Sequence, residues 1–204
     1  MHSSKRVQGK SGPRGKSASR VRIIGGEHRG RRISVPDRPG LRPTPDRVRE
    51  TLFNWLGQRL DGLACLDLFA GSGALGFEAA SRGAARVVMV ENDRAAFDAL
   101  DEARRTIGFG TVELHFGDAF NYLRHSTGAF DVVFLDPPFG QNSLTAALER
   151  LPPRLTPRAR VYAEAPEPVA PPGWSELKRS RAGQVSYQLL EWSSHDQGGL
   201  SGNV

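Results

Sequence analysis

Cysteine is almost absent from this 204-residue chain. The single Cys65 excludes a disulfide framework and any Cys-rich zinc site, and reads as a buried strand residue without chemistry. Long apolar runs are missing too. No stretch approaches the roughly 20 residues of a membrane span, so no membrane partner is expected. Residues 1–20 are polar and basic and lack the apolar segment of a secretory signal. The five His show no ligand spacing with a Cys or an acid, so no metal is expected. Together these absences argue for a soluble protein of a reducing compartment, expected in the cytoplasm; separately, the chain is expected to be a monomer.

Acids are scarce at the start of the chain. Residues 1–32 hold ten of the 28 Lys and Arg but one of the 22 acids, so this segment carries +9 and the remainder −3. A basic arm on a near-neutral body fits a polyanion partner, because each neutralised phosphate releases condensed counterions. A merely solubilising tail is the other reading. Residues 1–19 offer almost nothing to bury and are expected to be disordered when free, as is the tail 193–204.

Between these tails the pattern becomes regular. Residues 21–24 and 31–35 are expected to be short strands around a Gly-rich turn. Pro36, Pro39, Pro43 and Pro45 then make a connection, so a hairpin unit over 20–45 precedes the main domain over 46–192. Asp46 reads as the N-cap of a helix whose apolar positions are Val48, Leu52, Phe53, Trp55 and Leu56. Strands are expected over 64–69, 86–90, 112–116, 131–135 and 160–164, and helices over 75–81, 95–107 and 144–150. Residues 177–180 and 185–192 read as a closing hairpin around 181–184. The βα alternation implies an α/β fold, with a mostly parallel sheet covered by helices on both faces.

The chemistry sits where strands end. Asp67-Leu68-Phe69-Ala70-Gly71-Ser72-Gly73-Ala74-Leu75-Gly76 places G-x-G-x-x-G at a strand-to-helix turn. Dinucleotide-binding enzymes share that spacing. However, Asp67 would repel a pyrophosphate and instead suits a cationic group such as an amino-acid ammonium. Glu91, after the next strand, can accept hydrogen bonds from both hydroxyls of a ribose. Ammonium plus ribose describes S-adenosylmethionine. Asp118 follows the third strand, where it can accept from an adenine amine. The alternative for each acid is a helix N-cap.

Asp136-Pro137-Pro138-Phe139 follows the apolar strand 132–135. The two prolines fix the backbone and remove two amide donors. The Asp136 carboxylate and the Pro137 carbonyl can then face one substrate amine as acceptors. An exocyclic amine on a nucleobase is a poor nucleophile, because its lone pair is delocalised into the ring. Two acceptors on its hydrogens draw the nitrogen toward tetrahedral geometry, and the carboxylate can take the released proton. Phe139 offers a face on which the base stacks, worth ~1–3 kcal/mol. The alternative is an ordinary Pro-rich turn.

In order, these blocks resemble amino-directed S-adenosylmethionine methyltransferases. More narrowly, the stretch from Arg22 to Trp192 resembles the RsmD-type 16S ribosomal RNA guanine-N2 methyltransferases. The resemblance rests on Arg22-Ile23-Ile24-Gly25-Gly26, on Arg29-Gly30-Arg31 and on the run from Arg42 to Leu56, besides the glycine turn and Leu135-Asp136-Pro137-Pro138-Phe139. It implies a Rossmann-like class I methyltransferase with a seven-stranded sheet carrying one antiparallel strand, plus the N-terminal β-hairpin. It also implies methylation at N2 of guanine 966 of 16S rRNA, within the small ribosomal subunit or its assembly intermediate. His28, where the family usually has an aromatic residue, and Glu91-Asn92-Asp93 depart from the family pattern.

On this reading Asp67, Phe69, Gly71 and Gly73 contact the cofactor at the turn, with Glu91, Asp118 and Ala119 beyond it. Thr44, Arg47 and Asn54 lie over its methionine end. Arg47 either binds the cofactor carboxylate in bidentate fashion or pairs with Glu50 or Glu78 on the surface. Arg22, Arg29, Arg31 and Arg32 of the hairpin read as RNA phosphate contacts. Phe53 and Trp55 read as core. A DNA adenine-N6 methyltransferase would share the D-P-P-F chemistry but would usually need a separate base-reading domain. A protein glutamine methyltransferase would normally carry Asn in place of Asp136. A non-catalytic RNA-binding assembly factor on the same scaffold is opposed by the intact acids, and an NAD dehydrogenase by the lack of a clear hydride-transfer site.

Overall fold

Alternating apolar residues along the central strands are buried on both sides, and that pattern dictates a sheet sandwiched between helices. The computed structural model describes residues 19–36, 43–138 and 141–193. Strands β1 (Ser19–Arg22) and β2 (Arg32–Val35) pair as an antiparallel hairpin. Then come α1 (Asp46–Trp55), β3 (Ala64–Asp67), α2 (Ala74–Ser81), β4 (Arg86–Glu91), α3 (Arg94–Ile107) and β5 (Val112–Phe116). The second half holds α4 (Ala119–His125), β6 (Phe130–Leu135), α5 (Gln141–Arg150), β7 (Leu155–Ala165), β8 (Trp174–Ala182) and β9 (Val185–Trp192).

The main sheet has seven strands in the order β5-β4-β3-β6-β7-β9-β8. Pairings from β5 to β7 are parallel, and β9 runs antiparallel to both of its neighbours. The fold is therefore the expected Rossmann-like one, with a single reversed strand. Strand order reverses direction between β3 and β6. That switch point is where open α/β sheets leave a crevice beyond the strand ends.

Each strand serves two cores. Val87, Met89, Val132, Phe134 and Tyr162 face α1, α2 and α3. Val88, Val90, Val133, Leu135 and Val161 face α4 and α5. Cys65 is fully buried in the first core. Burial pushes its thiol up to about 12, with the charges of Asp131 and Asp67 adding, so it stays protonated and inert.

The β1–β2 hairpin is no separate module. Val21, Ile23, Ile33 and Val35 belong to the same core as Phe53 and Phe77. Arg22, Arg29, Arg31 and Arg32 are exposed. The His28 ring packs 4.4 Å from that of Phe109, which makes it a packing residue rather than an open stacking face.

A buried charged junction fastens the hairpin. Glu78, fully buried, accepts from the Ile24 N–H (2.9 Å) and from Arg49 Nη1 (3.2 Å) on Oε2, and from Arg82 Nε (2.8 Å) on Oε1. Arg49 also donates to the carbonyls of Thr44 (3.1 Å) and Arg22 (2.9 Å) and to Asp46 Oδ1 (2.6 Å). Glu78 is thus engaged from the core by Arg49 and Arg82, rather than by Arg47 at the surface. Removing one member leaves uncompensated buried charge, so Glu78→Ala is expected to destabilise the fold by about 3–5 kcal/mol. Urea unfolding monitored by circular dichroism checks this, and a loss below the cost of an ordinary surface change would contradict it.

Three sequence expectations change. Asp46 is the first residue of α1 rather than its cap; Pro45 holds the cap position, and Asp46 turns to Arg49. Helix α4 lies between β5 and β6, where the sequence pattern marks no element. Ser193 remains attached, its N–H donating to the Gly173 carbonyl over 2.9 Å. Ser19, the last residue of the tail expected to be disordered, opens β1 opposite Val35; the rest of the disorder expected of 1–19 and 193–204 lies outside the described residues, as does most of the Pro-rich connection.

Candidate active site at the strand ends

A cavity of about 600 Å³ opens at the carboxyl ends of β3, β4, β5, β6 and β7. That volume is within the roughly 300–1,000 Å³ range of small-molecule sites. The glycine turn shapes its floor. Gly73 caps α2 at φ 75°, a left-handed conformation that favours glycine. A Cβ on Gly76 would stand 2.8 Å from the Met89 side chain, so glycine there lets α2 lie against β4.

Acids hold the turn in place. Asp67, 3% exposed at the end of β3, accepts from the Gly76 N–H over 2.9 Å. Burial raises its ionisation to about 7, against the opposing Gly76 hydrogen bond and with help from the Glu91 charge. Glu91, the last residue of β4, accepts from the Gly71 N–H on one oxygen and from the Asp93 N–H on the other, both at 2.7 Å. Asp118 caps α4 by accepting from the Asn121 N–H over 2.8 Å, and also lines the cavity. The capping and the cavity-lining readings therefore both hold for Asp118. Asp67 and Glu91 line the cavity without being N-cap residues, although Asp67 accepts from an N–H in the first turn of α2; Asp93 caps α3.

Asp136 follows β6 directly and lines the same cavity with Pro137. Burial holds its carboxyl well above the usual carboxylate range, and the charges of Glu164 and Asp67 add to this. Thr44, Phe69, Gly71 and Ala119 also lie on the wall. Arg47, Asn54 and Gly73 do not. Arg47 and Asn54 are exposed on α1, and Asn54 accepts from the Gln58 side chain. Phe139 lies outside the described residues. Among the described residues no three His, Cys, Asp or Glu side chains are grouped to hold a metal ion.

Residues 21–191 match the protein family described as Conserved hypothetical protein 95. The chain is also 42% identical over 185 residues to the ribosomal RNA small subunit methyltransferase D of Escherichia coli K12, covering 88% of this chain and 93% of that protein. The chain belongs to the RsmD-type methyltransferase family. The namesake from Haemophilus influenzae is 41% identical over 180 residues, spanning 84% of this chain and 93% of its own. A solved structure of Escherichia coli yhhF, provisionally described as a methyltransferase, superposes with a TM-score of 0.77 at 40% identity, covering 86% of this chain and 99% of that one.

This RsmD-type chain contributes cavity residues that sequence reasoning missed. Phe120 of α4 meets Phe69 edge-on, with centroids 6.3 Å apart, and Ser143 of α5 reaches the wall. Glu164, near the end of β7, is the missed residue with the most chemistry. It lines the cavity, and the Tyr162 hydroxyl donates to its Oε2 over 2.9 Å. Burial raises its carboxyl also.

Proposed function

We propose that this protein transfers a methyl group from S-adenosylmethionine to the exocyclic N2 amine of a guanine in 16S rRNA, guanine 966 by the family resemblance, during small-subunit assembly. The observation that carries the reading is Asp136 in one cavity with Asp67 and Glu91. An amine-directed acceptor and two acids suited to a cofactor thus converge on one space.

The residues fit the cofactor. Asp67 is a buried acid held above its ordinary range, which favours a ligand with a cationic group such as the ammonium of a methionine moiety. Glu91 is fixed by two backbone N–H groups at the mouth of β4, oriented for hydroxyls of a ribose. Asp118, Ala119, Phe69 and Phe120 form the wall that would face an adenine. When bound, S-adenosylmethionine supplies a methyl group made electrophilic by its sulfonium.

The chain's own residues do the rest. The Asp136 carboxylate and the Pro137 carbonyl accept the two hydrogens of the amine and turn its lone pair outward. A carboxylate with raised proton affinity is a better proton acceptor near neutral pH than an ordinary one. The protein thereby acts through placement and electrostatics, without a covalent enzyme intermediate. The target base must leave its stack, at a cost of a few kcal/mol. The exposed arginines of the hairpin supply contacts to RNA phosphates. Support for the RNA substrate comes from the Escherichia coli and Haemophilus influenzae relatives, both named as ribosomal RNA small subunit methyltransferase D.

Methyl-labelled S-adenosylmethionine is incubated with the protein and, separately, naked 16S RNA, small subunits, DNA and a release factor. Label is expected in RNA, recovered after nuclease digestion as N2-methylguanosine. Label in DNA adenine or in protein, or no transfer at all, would overturn the assignment.

A further inference from the structure

Asp136 does not face the cavity alone. Strands β6 and β7 run parallel with Leu135 beside Ala163, so the next residues, Asp136 and Glu164, emerge side by side. Both line the cavity. Glu164 is anchored rather than loose: Tyr162, fully buried, holds its Oε2, and the Tyr162 ring packs 6.3 Å from that of Tyr187. Among the described residues no donor bonds its other oxygen. Nor does a described Arg or Lys pair with either acid of this couple. Two neighbouring half-buried carboxylates repel one another, and each is easier to keep charged when donors arrive from a ligand. Among the described residues, the Glu164 side chain makes no hydrogen bond beyond the one from Tyr162.

The geometry points to Glu164 as a specificity-determining residue that accepts the N1–H of guanine while Asp136 accepts from the adjacent N2 amine. This deepens the proposed function and rests on it. Guanine carries N1–H and N2–H2 as neighbouring donors on one edge. Two carboxylates emerging from neighbouring parallel strands into one cavity offer that edge an acceptor for each donor. Adenine places the N1 lone pair beside its amine, so Glu164 would face an acceptor with an acceptor. A flipped base is read through hydrogen bonds to this same edge. Tyr162 keeps the glutamate from swinging away when the wrong base enters.

The test uses the full chain, methyl-labelled S-adenosylmethionine, and small subunits assembled on ligated 16S RNA. The target nucleotide is guanosine in one preparation and 2-aminopurine riboside in the other. 2-Aminopurine keeps the 2-amine but has a bare acceptor at N1. The unmodified protein is expected to favour guanosine by about 10–100-fold in kcat/KM, the discrimination of one well-made base contact. Glu164→Gln, whose amide offers a donor as well as an acceptor, is expected to lower that preference by about tenfold or more. Its cofactor affinity and melting temperature should stay close to those of the parent. An equal loss on both RNAs would mark Glu164 as merely structural and overturn the inference, as would an unchanged preference. Transfer to guanosine by the parent protein, with either of those results, leaves the proposed function standing. No transfer by the parent removes both.

Discussion

Asp136→Ala should lower kcat for methyl transfer by about 10³-fold or more, within the range that positioned proton acceptors contribute, while cofactor affinity changes by less than about fivefold. The asymmetry follows from where the side chain stands. Asp136 lies beyond the end of β6, beside Pro137, whereas Asp67 and Glu91 hold the glycine turn. Asp136→Asn keeps an acceptor oxygen but cannot take a proton, so its loss should be smaller and its pH profile flatter. Burial first, then Glu164 and Asp67, holds the Asp136 carboxyl above the usual range. Activity of the parent should therefore climb with pH along a limb displaced upward from ordinary carboxylate ionisation. Removing the Glu164 charge takes away one of the raising causes and should move that limb to lower pH. Rapid-quench methyl transfer across pH, alongside calorimetric cofactor titration, checks both statements. Near-parental turnover by Asp136→Ala would remove Asp136 from the chemistry.

Asp67→Asn should weaken cofactor binding by about 10–100-fold, the worth of a hydrogen bond to a charged group, and yet stabilise the empty protein at neutral and higher pH. The second half follows from linkage. Asp67 holds its proton more tightly in the folded chain than in the unfolded one, about 7 against 3.8. Its contribution to stability is complete below the unfolded value and is lost as pH rises through the folded one. Above that point the native protein keeps a charge in a site 3% exposed. Asparagine carries no such charge and still offers an oxygen to the Gly76 N–H. The gain at pH 8 should be about 2–4 kcal/mol, shrinking toward nothing near pH 4. Thermal unfolding of both proteins across pH decides it: a variant that melts below the parent at pH 8 would show that Asp67 is not electrostatically strained. Ligand sites held in unfavourable states are a known source of such trade-offs between stability and activity.

What could be read from the chain alone was local. The strand ends at Glu91 and Asp136 announce themselves because apolar runs stop at an acid and a turn residue follows, whereas Asp67 stands inside its apolar run, four residues before Gly71. The reversed strand was implied by family resemblance, and the βα alternation carries the rest of the sheet. Glu164 escaped because Ala163-Glu164-Ala165-Pro166 has no motif. Its importance comes from lying beside Asp136, and that depends on which strand pairs with β7 and in what register. Helix α4 escaped because it is seven residues long, and Asp118 could be read without it. The junction at Glu78 joins residues 29 apart in sequence. A signal for it existed: Arg49, Leu52 and Phe53 fall at i, i+3 and i+4, which places Arg49 on the buried stripe of α1, whereas Arg47 falls off it.

Arg49 also has a mechanical consequence. The same guanidinium grips the Thr44 carbonyl at the cavity wall and the Arg22 carbonyl in the hairpin. The arginine-studded hairpin and the reaction chamber are thereby clamped into one jig. On the proposed function, an RNA whose phosphates contact that hairpin would meet the cavity at a fixed offset, because Arg49 ties the two together.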